Sequence, residues 1–333
     1  MDIHNPKELT ACASRRLKDA PQAPKVVLIY SALMLGLAAL VTLANYALQL
    51  QINQTGGLSR RNIRAVFSAL QTMLPLLQTM VALCLELGYR SCMVRAARGK
   101  FLSPQGLRLG FSRFWPLLRL TLLQAAMYLA IGFISVYASS VIFLMTPLSN
   151  GFMEALTPLM EQTMTTDPNA LVLDDAAYLA LTQTMVPMLV LALVIFAAAA
   201  LPLAYRLRMS GYVLIDKPAN GAMACMRESR AMMRFHCRDL LRLDLRLWWY
   251  YLLSGAVTVL AYGDLILPLF GLTLPGSATV WSFVFYGLYL AAQFALNLLF
   301  LNRVETTYAL AYDILRPKEN PSGGAVLGNI FQM

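Results

Sequence analysis

Six apolar blocks of 17 to 26 residues run through the chain: Val26–Leu50, Val66–Leu87, Leu120–Met145, Met185–Tyr205, Leu247–Gly263 and Thr279–Leu301, with Glu86 the single formal charge inside them. Blocks of that length match helices crossing a hydrocarbon core about 30 Å thick. In lipid every backbone N–H and C=O must be paired within the structure, so only helices and closed barrels span a membrane. The ten-residue alternating segments of a barrel are missing. The chain therefore reads as an all-α, polytopic membrane helix bundle of about six transmembrane helices. Composition agrees: 58% of the 333 residues are hydrophobic and 13% charged, against roughly 45–50% and about 25% in soluble domains. The fifth block is the shortest and is expected to run on through Pro268, because Leu265–Gly271 is apolar too.

Lys and Arg near span ends are retained on the cytoplasmic side. With six spans, 24 of the 27 basic residues fall on the side of the N-terminus, leaving Arg60, Arg61 and Arg64 outside. Both termini are thus expected in the cytoplasm. The longest outer loop, 146–184, has no Lys or Arg and carries Glu154, Glu161, Asp167, Asp174 and Asp175. Residues 1–25 form a cytoplasmic segment with a short helix over Pro6–Lys18. Residues 26–316 form one six-span domain with inner amphipathic segments at 100–119 and 219–246, and 317–333 read as a disordered tail. All five cysteines fall in cytoplasmic segments or the inner half of a span, where disulfides are not expected.

A repeat is visible at the inner ends of the second and fourth spans, where Leu87-Gly-Tyr89-Arg90-x-x-Met93 matches Leu203-Ala-Tyr205-Arg206-x-x-Met209. Ser112-Arg113 and Ser229-Arg230 follow at nearly the same offset, and Ser14-Arg15 precedes the first span. The implied unit is a cytoplasmic amphipathic helix followed by a transmembrane hairpin, used three times.

Several of these segments resemble the bacterial integral-membrane family called domain of unknown function 975. The resemblance rests on the Leu-x-Tyr-Arg end of the second span and on Phe111 through Trp115. It rests above all on Tyr212 to Asp244, with Asp216-Lys-Pro218, Glu228-Ser229-Arg230-x-Met232-Met233 and Leu240 to Leu245, and on Tyr308, Tyr312 and Asp313. It implies a multi-pass protein of the bacterial cytoplasmic membrane and supplies no activity.

Two groups of residues stand out as candidate sites. Arg227, Arg230, Arg234, Arg238 and Arg242 step by three or four and share one face of a helix, while Cys225, Met226, Met232, Met233, Leu240 and Leu243 face the other way. Like charges at these spacings repel by about 0.2–0.5 kcal/mol per pair, whereas anionic inner-leaflet lipid offers about 1 kcal/mol per basic residue. An interfacial helix on anionic lipid is therefore preferred to docking of a membrane-protein or cytoplasmic partner, and nucleic acid is not expected because no reading fold accompanies the charge. The second group is intramembrane and polar: Thr72, Gln78, Thr79 and Glu86 on the second span, Tyr286, Gln293 and Asn297 on the sixth. Glu86 reads first as the partner of Arg90 four residues on, and otherwise as an ion or proton site. The sixth-span stripe reads as interhelical hydrogen bonding or as the wall of a solute path.

His4 and His236 belong to no metal-ligand or triad spacing, and no nucleophile-and-base pair is apparent, so neither an enzyme nor a cofactor or metal is expected. The first expectation is a non-catalytic membrane component that organises or assists other membrane components, or senses the inner leaflet through its basic helices. The alternative is a small-solute permease with its path between the polar faces of spans two and six.

Overall fold

The computed structural model describes residues 5–54, 61–146, 150, 175–269 and 277–316. Helices account for nearly all of it: α1 (Pro6–Lys18), α2 (Ala23–Gln54), α3 (Arg61–Ala97), a 3-10 turn (Pro104–Arg108), α4 (Leu109–Ser112) and α5 (Phe114–Leu144). After the outer loop come α6 (Asp175–Leu207), α7 (Ser210–Asp216), α8 (Ala222–Met233), α9 (Cys237–Arg246), α10 (Trp248–Leu260), α11 (Gly263–Leu269), α12 (Ala278–Leu296) and α13 (Asn302–Leu315). A π turn over Asn297–Leu301 joins the last two into one long rod. Local chemistry explains the shortest ends. α1 carries Pro in its first turn, Glu8 beside it, and Arg15, Arg16 and Lys18 in its last turn, each charge matched to the helix dipole.

Five helices are long and apolar enough to cross a membrane: Ala23–Ile52, Ala65–Ala97, Phe114–Leu144, Met185–Asp216 and Thr279–Leu315. The block expected as the fifth of six spans departs from that pattern. It breaks at Ala261–Tyr262 into α10, of 13 residues, and the seven-residue α11. At 1.5 Å per residue α10 reaches only about 20 Å, so it cannot cross alone. α11 packs back on α12, and the Ser282 hydroxyl donates to Asp264 there. Three other expectations shift. Helix α6 already begins at Asp175, inside the segment assigned to the outer loop. Segment 100–119 is a 3-10 turn, one turn of α4 and the start of α5, and segment 219–246 is two helices that meet at Arg234–His236. The rest of the outer loop and the tail beyond 316 lie outside the described residues.

Consecutive spans pack as hairpins: α2 on α3, α5 on α6, and α10–α11 on α12. Each amphipathic segment then seats on the C-terminal end of an even-numbered apolar block. The 3-10 turn and α4 pack on α3, α8 packs on α6, and α1 packs on α13. The first helix of the chain therefore docks on the last rod and closes a ring of three units. The Ser-Arg pairs that mark the repeat do unlike work. Arg113 donates from Nη1 to the carbonyls of Leu214 and Ile215 at 2.7 Å each, whereas Ser229 donates to the carbonyl of Arg206 at 2.8 Å.

The core sits at one end of this ring. Leu9, Val26, Tyr89, Met93, Met209, Leu214, Cys225, Met233, Leu240, Leu243 and Tyr312 are all buried there in one cluster. By contrast, none of the apolar window of the second span is buried. The hydrophobic effect operates where water is the alternative, and lipid tails give little reason to bury a leucine. A fully buried Leu or Met contributes about 2 kcal/mol where water is the alternative, so this end of the bundle, the annex, holds the three hairpins together. Close backbone approach tightens it. A Cβ on Gly88 would lie 2.2 Å from the Leu107 carbonyl oxygen, and one on Gly110 only 1.7 Å from that of Cys84.

Candidate functional site

The C-terminal ends of the three even-numbered rods converge inside the annex, and each brings charge to the junction. At the tip of this junction Arg98, directly after α3, grips two carboxylates. Its Nη1 and Nη2 donate to Asp216 at 2.8 and 2.7 Å, and its Nε and Nη2 donate to Asp313 Oδ1 at 2.9 and 2.6 Å. Arg316 and the Tyr312 hydroxyl add bonds to Asp216 Oδ2, both 3.0 Å. These hydrogen bonds, that from Arg98 to Asp216 first, hold the Arg98 guanidinium above its ordinary pKa. Burial pushes that of Arg113 the other way.

About two turns nearer the spans lies a second layer. Arg90 Nη2 pairs with Glu86 at 2.5 Å, and its Nε is 4.0 Å from Glu305 Oε2. The Tyr212 hydroxyl donates to that same oxygen at 3.1 Å. Arg208, in the break between α6 and α7, pairs with Asp244 of α9. Asp244 also accepts from the Tyr205 and Tyr308 hydroxyls, at 2.7 and 2.5 Å. The Arg208 guanidinium lies 4.3 Å from the centre of the Tyr308 ring, a cation–π distance.

Two cavities flank this layer and share Arg90 and Arg208 as part of their walls. One, of about 290 Å³, is lined also by Glu86, Gln124, Tyr128 and Ser210. The other, of about 350 Å³, is lined also by Tyr212, Tyr250, Tyr251, Glu305 and Tyr308. A third space, of about 590 Å³ and lined by Leu193, Phe196, Ala197 and Leu201, reaches the same Arg208 from the apolar zone. Charge is balanced here arginine by arginine, which suits a structural network with room for a polar guest. Among the described residues, no three His, Cys, Asp or Glu side chains gather as a metal site.

Glu86 is thus placed in the junction beside Arg90. The other intramembrane candidates are not gathered with it. Thr72 and Thr79 are exposed and donate to carbonyls of their own helix, Ala69 and Pro75. Gln78 is half-buried on the same helix. On the sixth span Tyr286 accepts from Thr42 of α2 at 2.9 Å, and Gln293 donates to Asn297 at 3.2 Å, where the π turn begins. No cavity described above is lined by both sets. The arginines 227, 230, 234, 238 and 242 are all exposed, divided between α8 and α9 by the turn. Cys225, Met226, Met232, Met233, Leu240 and Leu243 on the other faces are buried.

Sequence reasoning missed Arg98, Arg208, Asp216, Asp244, Glu305 and Asp313 as a group. One signal was present: Asp216 and Asp313 each follow, by ten residues, an arginine that ends a span, Arg206 and Arg303.

These features define an all-α polytopic membrane bundle whose packed core gathers at one end of its long helices. Residues 1–313 match one family model along their whole length, and the chain belongs to the family described as Protein of unknown function (DUF975). No curated protein and no solved structure matches it.

Proposed function

We propose that the protein is a non-catalytic membrane component whose annex engages anionic lipid of the inner leaflet through α8 and α9. The observation that carries this reading is the depth of Arg230. Its Nη2 lies 3.6 Å from the sulfur of Met127, a residue of the third apolar block, so α8 lies level with the edge of the hydrocarbon. Around the exposed arginines, Met223, Phe235, Leu241 and Leu245 are exposed as well. Apolar groups interleaved with unburied arginine are what a helix in the headgroup region presents. The basic excess on this side of the spans supports a cytoplasmic annex.

Changing Arg230, Arg234 and Arg238 together to Gln removes about 3 kcal/mol of headgroup attraction and relieves about 1 kcal/mol of like-charge strain. Hydrogen exchange over residues 220–243, compared between anionic and zwitterionic vesicles, is expected to differ strongly for the parent and little for the triple variant. An equal response of both to lipid charge would place the stripe against protein or bulk water and remove this reading.

A further inference from the structure

A fourth cavity, of about 360 Å³, opens where α9 gives way to α10. Three distant parts of the chain line it: Thr10 from α1, Arg246, Trp248 and Trp249 from the α9–α10 joint, and Arg303 from α13. Its charge differs from that of the junction described above. Arg90, Arg98, Arg208 and Arg316 each face a carboxylate. No carboxylate lines this cavity, and among the described residues Arg246 and Arg303 have no acidic partner. Two guanidiniums and two indoles are donors only, so beside the Thr10 hydroxyl the site offers N–H groups and positive charge and lacks an anionic acceptor. A phosphate diester or monoester supplies both acceptor oxygens and counter-charge, and guanidinium matches phosphate in a two-pronged geometry.

The setting selects the rest of the ligand. Arg303 lies two residues beyond the sixth apolar block, and Trp248 opens α10. Trp249 lies edge-on to Phe300 with centroids 4.8 Å apart. Tryptophan and arginine together at span ends mark the headgroup level. One turn into the apolar zone from each side, Leu252 and Leu299 are exposed, by 60% and 70%, as a surface for an acyl chain. We propose that this cavity is a discrete binding site for the phosphate headgroup of one anionic membrane lipid. The proposal rests on the reading above only for the presence of such lipid at this face. It differs in requiring a stoichiometric ligand at Arg246 and Arg303.

The test uses the full chain extracted in mild detergent and supplied with phosphatidylglycerol. The parent is expected to retain about one lipid per chain through gel filtration, read as bound phosphorus and by native mass spectrometry. The Arg246→Gln/Arg303→Gln variant is expected to bind it about thirtyfold more weakly, the effect of removing two basic contacts to an anionic headgroup. Arg246→Lys/Arg303→Lys, which keeps the charge, is expected to recover part of the binding. Protection of the buried thiols of Cys84, Cys92 and Cys225 reports that each variant is folded. Equal retention by the parent and a folded Gln variant would overturn the site. So would displacement of the lipid by millimolar inorganic phosphate, which would make the ligand a soluble anion. The Arg230/Arg234/Arg238→Gln variant should keep its retained lipid even where its vesicle docking is lost. If it loses that lipid while the Arg246/Arg303 variant keeps it, the lipid sits on the stripe and this cavity is not its site.

Discussion

Replacing Arg98 by alanine is expected to cost about 2–4 kcal/mol, because it strips Asp313 of its gripping partner and leaves Asp216 with only Arg316 and Tyr312. Asp216 is 9% exposed and Asp313 24%, so water screens part of the loss and the lower half of that range is the better guide for Asp313 alone. The measurement is thermal unfolding in detergent, followed by the reaction of a fluorogenic maleimide with the buried Cys84, Cys92 and Cys225. A double variant, Arg98→Met with Asp313→Asn, removes one orphaned charge together with its partner and is expected to recover about 1 kcal/mol relative to Arg98→Ala. Unmasking of the thiols at the parental temperature in Arg98→Ala would show that the three rods are held by their apolar contacts alone.

Gly110→Ala is expected to be at least as damaging as the loss of Arg98. The new methyl would stand 1.7 Å from the Cys84 carbonyl oxygen and 2.6 Å from its carbon. Both are backbone atoms, so no side-chain rotation relieves the overlap, and α4 has to lift from α3. Overpacking of this kind costs about 1–3 kcal/mol when neighbours can yield, and more when they cannot. The expected result is a transition lowered by roughly 5–10 °C, with Cys84 reacting early because the seat beside it has opened. Gly211→Ala is the matched control. Its added carbon would meet only the far end of the Arg90 side chain, at 3.3 Å, and its transition is expected to stay within about 3 °C of the parent. A Gly110→Ala protein as stable as this control would mean that the contact between α3 and α4 is looser than its geometry indicates.

The apolar face of segment 219–246 was legible from spacing alone, since Cys225, Met226, Met232, Met233, Leu240 and Leu243 are the residues it buries. Periodicity could do this because a helix repeats its contacts every three or four residues, and α8 and α9 keep nearly the same face across their break. The break itself was not legible, for the turn at Arg234–His236 contains neither Pro nor Gly. The halting of the fifth block was half visible: Gly263 stands there, yet hydropathy alone continues through it. The charged junction was hidden for another reason. Arg98 meets Asp216 across 118 positions and Asp313 across 215, and no local pattern encodes a partner at such range. Glu86 and Arg90 were readable as neighbours because they belong to one helix. Glu305, which completes their layer, belongs to another rod.

The closing of the ring sets a timetable for synthesis. A chain that emerges from its N-terminus makes α1 first, whereas the principal seat of α1, on α13, is made almost last. Leu9 and Ala13, which have no exposed surface in the finished molecule, must therefore wait for full burial while all six apolar blocks are made. During that interval α3 and later α9 offer it only the smaller part of its final contacts. A chain that stops before Asn302 never provides α13. Such a product carries its unfinished state in α1, as an amphipathic helix whose apolar face is left partly uncovered. The rod that carries α13 is in this sense the clasp of the molecule, and synthesis of α13 and full burial of α1 are one event.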